Sequence, residues 1–140
     1  TPPEMQMEML TNYEMIQLAL TVLNPRPLDL GNSAGTVGCA LLSASGKLFY
    51  GVCIDIGSGI GFCAEHAAVA AMITAGETRI AKIAAVCEGA VVLPPCGRCR
   101  ELMYEIDRGN LGFTDVVLGE HTSVKLKELL PHPYHEVWNR

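Results

Sequence analysis

Two short segments hold the residues best suited to chemistry: Cys63-Ala64-Glu65-His66 and Pro94-Pro95-Cys96-Gly97-Arg98-Cys99. Three thiolates can hold a zinc ion and leave its fourth corner open. Cys96 and Cys99 are three residues apart at a predicted helix start, so both thiols face one side. Cys63 opens another predicted helix. A helix N-terminus is electropositive and lowers a thiol's pKa, so thiolates form readily there. Glu65 stands two residues from Cys63 and is not needed as a ligand. It can shuttle protons at the open corner as the catalytic acid and base. The pattern is that of a hydrolytic zinc site with one Zn2+ per chain. The competing class is a non-catalytic ligand-binding domain with a structural zinc. Structural zinc normally fills its fourth corner with Cys or His, and the spare Glu65 favours catalysis.

Three thiolates over-neutralise zinc, since −3 plus +2 leaves −1. A positive group is expected to compensate. Arg98, between two ligands, is the first candidate for a guanidinium that hydrogen-bonds the sulfurs, and Arg100 is the second. His66 is the rival ligand, but it points about 100° further round the helix than Glu65. His121, His132 and His135 carry no ligand spacing.

The elements must bring the two segments together. Glu4 to Leu23 reads as a helix with Met5, Met9, Tyr13, Ile16, Leu20 and Leu23 on one stripe. Asn24-Pro25 ends it. Thr36 to Leu42 and Leu48 to Ile54 read as strands joined by Ser43-Ala44-Ser45-Gly46, hence as an antiparallel pair. Asp55 to Phe62 is glycine-rich, but it lacks the Lys-Ser/Thr of a phosphate loop and the last glycine of a dinucleotide fingerprint. It reads as a wall of the pocket over the metal. Cys63 to Ala75 is an alanine-rich helix closed by Gly76. Ile83 to Cys87 is apolar on both faces and so predicts a central strand. Cys96 to Ile106 is the third helix, Thr114 to Leu118 a strand, and Thr122 to Leu126 a short last one. Strands alternating with helices predict an α/β fold: a three-layer α-β-α sandwich on a mixed sheet of about five strands.

Residues 1–140 are expected to form one domain with one core. Net charge is −5 and no run of Lys or Arg occurs, which argues against a nucleic-acid partner and for a small free substrate. No apolar stretch approaches a membrane span, and no signal peptide is visible. A cytoplasmic location is expected. The six cysteines invite a disulfide reading, but the chain is apolar and rich in regular elements. Cys39 and Cys87 sit in apolar runs, where a thiol is a small buried hydrophobe.

The two metal segments resemble those of the zinc-dependent cytidine deaminase superfamily, with Cys63 where many members carry His. The likeness is greatest to the small Cys-type cytidine deaminases and to blasticidin S deaminase. Thr36 to Leu42, Gly46 to Gly51, Pro95 to Leu102 and Glu128 to Pro131 extend it along the chain. The resemblance implies a hydrolytic deaminase of a free nucleoside- or nucleobase-like heterocycle, converting C–NH2 to C=O with ammonia release. It implies zinc on Cys63, Cys96 and Cys99, Glu65 as proton shuttle, and a homotetramer. It places Ala64, in the helix start, and the Pro95 carbonyl beside the reacting amidine. Cys53 and Asp55 fall where cytidine deaminases carry the Asn and Glu that hold the ribose, and Gly35 falls where they carry an aromatic residue. A thiol cannot replace an amide's paired donor and acceptor. An antibiotic deaminase of the blasticidin S type is therefore the alternative within the enzyme class. The aromatic tail from His132 to Trp138 is expected at a subunit interface or over a neighbour's pocket.

Overall fold

The computed structural model describes residues 10–139. Helix α1 (Asn12–Leu20) opens on a capping box: the Glu14 N–H donates to Thr11 Oγ1 at 3.0 Å, and the Thr11 N–H donates to the Glu14 carboxylate at 2.8 Å. Thr11 is extended, so no helix runs from Glu4 through it; Glu4 to Met9 lie outside the described residues. The expected stripe is corrected too. Met15, Ile16 and Ala19 are buried, whereas Tyr13 is exposed. A stripe counted from Met5 presumes one unbroken helix, and the cap at Thr11 breaks it.

The chain continues through β1 (Arg26–Pro27), β2 (Ser33–Ser43), β3 (Leu48–Asp55), α2 (Ala64–Thr74), β4 (Ile80–Cys87) and β5 (Val91–Leu93). Then follow α3 (Gly97–Ile106), α4 (Asn110–Phe113), β6 (Asp115–Gly119), β7 (Thr122–Lys125) and α5 (Leu126–Leu129). Strand β2 pairs antiparallel with β3 and with β4. Strand β4 pairs parallel with β6, which pairs antiparallel with β7. The sheet is therefore mixed, with β4 central as its two apolar faces require. Among the described residues it has seven strands rather than about five, because β1 and β5 add two and three residues beside β2 and β4. Strands that short leave no alternation to read in a sequence.

Side-chain alternation divides the core into two layers. Ala40, Leu42, Ala84, Val86 and Val117 face α1. Cys39, Leu41, Ile83, Ala85 and Val116 face the other way, against Ala68, Val69 and Met72 of α2 and Met103 of α3. A side chain as fully buried as Met72 contributes about 1.5–3 kcal/mol. The result is the three-layer sandwich expected from the sequence.

Two later segments differ from the expectation. The Lys125 N–H donates to the Glu128 carboxylate at 3.1 Å, which turns the chain into α5 where a strand was expected to reach Leu126. Asn110, which follows the end of α3, is fully buried and has its amide satisfied. Its Oδ1 accepts from the Ile80 N–H at 2.9 Å, and its Nδ2 donates to the Thr78 and Met103 carbonyls at 3.1 and 2.9 Å. It ties α3 and α4 to β4. The tail lies on its own α3: the Tyr134 N–H donates to Glu101 and His135 Nδ1 meets the Glu105 carboxylate at 2.6 Å. The rings of Tyr134 and Trp138 remain exposed.

Candidate metal centre

Cys63 and Cys96 each occupy the extended cap residue before a helix, α2 and α3 respectively. Cys99 lies in the first turn of α3 and is fully buried. The three sulfurs lie within 4.8 Å of one another. Cys63 Sγ stands 3.4 Å from Cys96 Sγ, and Cys96 Sγ stands 3.6 Å from Cys99 Sγ. Both separations are far too long for a disulfide, which needs about 2.05 Å. They are close to the edge of a tetrahedron with 2.3 Å zinc–sulfur bonds, about 3.8 Å. All six cysteines are free. The donor set fits zinc, and it is the metal-binding cluster found among the described residues.

The protein prepares the sulfurs unequally. Burial pushes the Cys96 thiol up, but the backbone N–H groups of Cys99 and Arg98 and the neighbouring thiols outweigh it, so its net shift is downward. Burial pushes the Cys99 thiol strongly up, and the nearby Glu65 charge adds to this. Cys63 is raised as well, first by burial. Backbone donors thus lower Cys96 alone of the three, and Cys99 is the most deeply buried of them.

Glu65 is buried, 5% exposed, and lines the cleft with Cys63 and Cys96. Burial raises its carboxyl pKa, while its own backbone N–H and the Cys99 thiol pull the other way. Beneath it, Cys39 is fully buried, and burial followed by the Glu65 charge pushes that thiol well above its usual range.

His66 is not part of the sulfur cluster. Its Nδ1 lies 3.3 Å from Cys99 Sγ, and its ring stacks on Phe62 with centroids 6.4 Å apart. Burial, then Arg98, lowers its pKa. The arginines expected on the sulfurs are otherwise engaged. Arg98 Nη1 donates to the Gly61 carbonyl at 3.3 Å, tying α3 to the glycine-rich loop at the cleft wall. Arg100 donates to the Pro95 carbonyl from Nε at 2.7 Å and to the Leu129 carbonyl from Nη1 at 3.2 Å. The sequence signal for His66 was its place three residues after Cys63, which puts both on one side of α2.

The cleft over the sulfurs measures about 820 Å³. The glycine-rich loop forms one wall, as expected, pinned by an Ile54–Phe62 bridge and by the Gly57 N–H donating to Asn32 Oδ1 at 3.0 Å. Ala64, Cys53 and Asp55 line it. Thr36 Oγ1 lies 3.1 Å from Cys53 Sγ, which donates to Asp55 Oδ2 at 3.7 Å; Ser33 Oγ donates to the same oxygen at 3.5 Å. Ser33, Thr36 and Asn32 were not singled out in the sequence, because their approach depends on the β2–β3 register. Pro94 lines the cleft, whereas Pro95 is buried and borders a small void behind Glu65. No helix among the described residues is long and apolar enough to cross a membrane.

A sulfur trio with a free corner, opening into a cleft beside a buried carboxylate, defines a zinc enzyme that handles water rather than a structural zinc knot. The model of the cytidine and deoxycytidylate deaminase zinc-binding region matches residues 12–114, and the chain belongs to that family. It is a zinc-dependent deaminase with one zinc per chain and a small-molecule substrate. A cytidine deaminase of Halalkalibacterium halodurans is 34% identical over 97 residues, covering 68% of this chain and 74% of its own length. One from Mycobacterium tuberculosis is 37% identical over 70 residues, covering 49% of this chain and 53% of its own length, so the match spans about half of that relative. Crystal structures of cytidine deaminases from Mycobacterium leprae and Burkholderia pseudomallei superpose with a TM-score of 0.69 each. Their identities are 27% and 28%, over 84% and 89% of this chain and 95% and 99% of theirs.

Proposed function

We propose that the substrate is a free cytosine nucleoside, cytidine foremost, and that Cys63, Cys96 and Cys99 are the zinc ligands. The observation that carries this reading is Glu65: a buried carboxylate opening onto the same cleft as the sulfurs, in a chain whose relatives are cytidine deaminases. When bound, zinc supplies Lewis acidity at its open corner. Glu65 takes one proton from the attacking water and passes it to the ring nitrogen, then takes the remaining hydroxyl proton and passes it to the departing amino group. Burial raises its pKa, which favours the protonated form that the carboxyl must take between the two transfers. The bond between the ring carbon and the exocyclic amino nitrogen breaks, water's oxygen becomes the carbonyl, and ammonia leaves. Ala64 and Pro94 border the base. Asp55, with oxygens left over beyond Ser33 and Cys53, accepts hydrogen bonds from the sugar.

The Cys53 wall favours a second reading. A thiol bonded to Thr36 and Asp55 offers no amide to a ribose. An 820 Å³ cleft also has room for a larger appendage, as in antibiotics of the blasticidin S type.

Residues 1–140 act as one domain in this account, in the cytoplasm, where six free thiols would persist. The chain assembles as a homotetramer. Leu30, 90% exposed at the cleft, and Ile60, 73% exposed in the glycine-rich loop, present aliphatic surface for a neighbour, and Tyr134 and Trp138 do so on the tail. The test is ammonia release by the zinc-loaded protein from cytidine, deoxycytidine, cytosine and blasticidin S. Turnover of cytidine supports the first reading, turnover of blasticidin S alone the second, and no release from any of them refutes both.

A further inference from the structure

Three thiolates around one divalent cation leave an excess negative charge that weakens the cation's pull on a fourth ligand. Outer donors to the sulfurs relieve that charge, and their loss costs affinity. Cys96 has backbone N–H groups of Arg98 and Cys99 for this purpose. Cys99 is fully buried, whereas Cys63 and Cys96 are not, so water can solvate charge on its sulfur least of the three. Neither arginine supplies it: Arg98 is bound to the Gly61 carbonyl and Arg100 to the Pro95 and Leu129 carbonyls. His66 Nδ1 does reach Cys99 Sγ, at 3.3 Å. The His66 ring is held at that angle by Phe62, stacked at an interplanar angle of 25°.

We propose that His66 is a positioning residue of the zinc site: its Nδ1–H donates to the Cys99 sulfur, draws charge from it, and so strengthens the grip of the sulfur trio on the metal. The imidazole stays off the metal itself. The direction of the bond follows from the metal: a zinc-bound thiolate can only accept, so Nδ1 must carry the hydrogen. This rests on the zinc reading of the site but not on the identity of the substrate.

The experiment compares His66→Phe, which keeps a ring for Phe62 and removes the donor, with His66→Asn, whose side-chain amide can place an N–H near the Nδ1 position. Zinc affinity is measured by competition with a chromophoric chelator, and the cobalt-substituted proteins are compared by their thiolate-to-cobalt charge-transfer band. The expected result is one zinc per chain in every variant, with affinity about 10–100-fold weaker in His66→Phe and largely restored in His66→Asn. The cobalt band should move to lower energy in His66→Phe and return towards its original position in His66→Asn. Affinity and band unchanged in His66→Phe would overturn the proposal, as would a variant that takes up no metal at saturation, since that would make His66 a ligand. A parent protein that binds no zinc would instead overturn the metal reading, so the two failures are distinguishable.

Discussion

Gly51 of β3 lies directly against the backbone of Ala68 in α2. A Cβ on Gly51 would stand inside contact distance of the Ala68 nitrogen, 2.5 Å from the Ala64 carbonyl oxygen and 2.6 Å from the Ala67 Cβ. The absence of a side chain there lets α2 seat on the sheet, and α2 carries Cys63 and Glu65 to the cleft. Gly51→Ala should therefore push α2 outward. We expect a loss of about 1–3 kcal/mol, typical of overpacking, together with weakened zinc binding. Thermal melts and metal titration would check it, and a variant with unchanged melting and zinc affinity would contradict it.

Glu65→Gln keeps the size of the side chain and removes the carboxylate proposed as the proton shuttle. Activity should fall by about 10²–10⁴-fold or more, while zinc stays at one per chain. Steady-state kinetics paired with metal analysis make the measurement.

Removal of zinc should abolish turnover and lower the melting temperature, because metal bound only by the folded state stabilises it. Readdition should restore both. Cys99→Ser, at the buried ligand, should resist restoration. Calorimetry before and after dialysis against a chelator reads the outcome.

The sugar contact proposed for Asp55 is tested apart from the chemistry. Asp55→Asn removes a charged acceptor from the cleft wall, so KM for cytidine should rise about 10-fold or more, with little change for cytosine. Equal effects on both substrates would show that Asp55 does not meet the sugar.

Asp107 links acid stability to the fold. Arg79 donates to its two oxygens at 2.9 and 3.0 Å, and Thr78 adds a hydroxyl at 3.1 Å. The Arg79 hydrogen bonds, despite some burial, hold its carboxyl below the usual value of 3.8. A carboxyl whose pKa is depressed in the folded state stabilises above its unfolded pKa and loses that contribution as pH falls through the folded one. Asp107→Ala should therefore lower the melting temperature by about 2–4 °C at pH 7, and the gap should narrow below pH 4. Melting curves of both proteins from pH 7 to pH 3 test the sign.

The sulfur cluster was legible in the sequence because its spacing is local: Cys96 and Cys99 share a helix turn, and Cys63 with Glu65 share another. The central strand β4 was legible from its two apolar faces. What was not legible depends on register and approach between distant segments. Thr36 meets Cys53 only through the β2–β3 pairing. Arg100 finds the Pro95 and Leu129 carbonyls, rather than a sulfur, only once α5 is in place. His66 reaches Cys99 only because α2 and α3 start side by side. Tyr13 was placed inward because a stripe counted on spacing does not register the helix cap at Thr11.

X-ray absorption at the zinc edge of the loaded protein reads the neighbours of the metal itself. Three sulfur neighbours at about 2.3 Å and a single oxygen at about 2.0 Å are expected, without the outer-shell scattering of an imidazole. Four sulfurs, or three sulfurs and a ring nitrogen, would contradict that coordination.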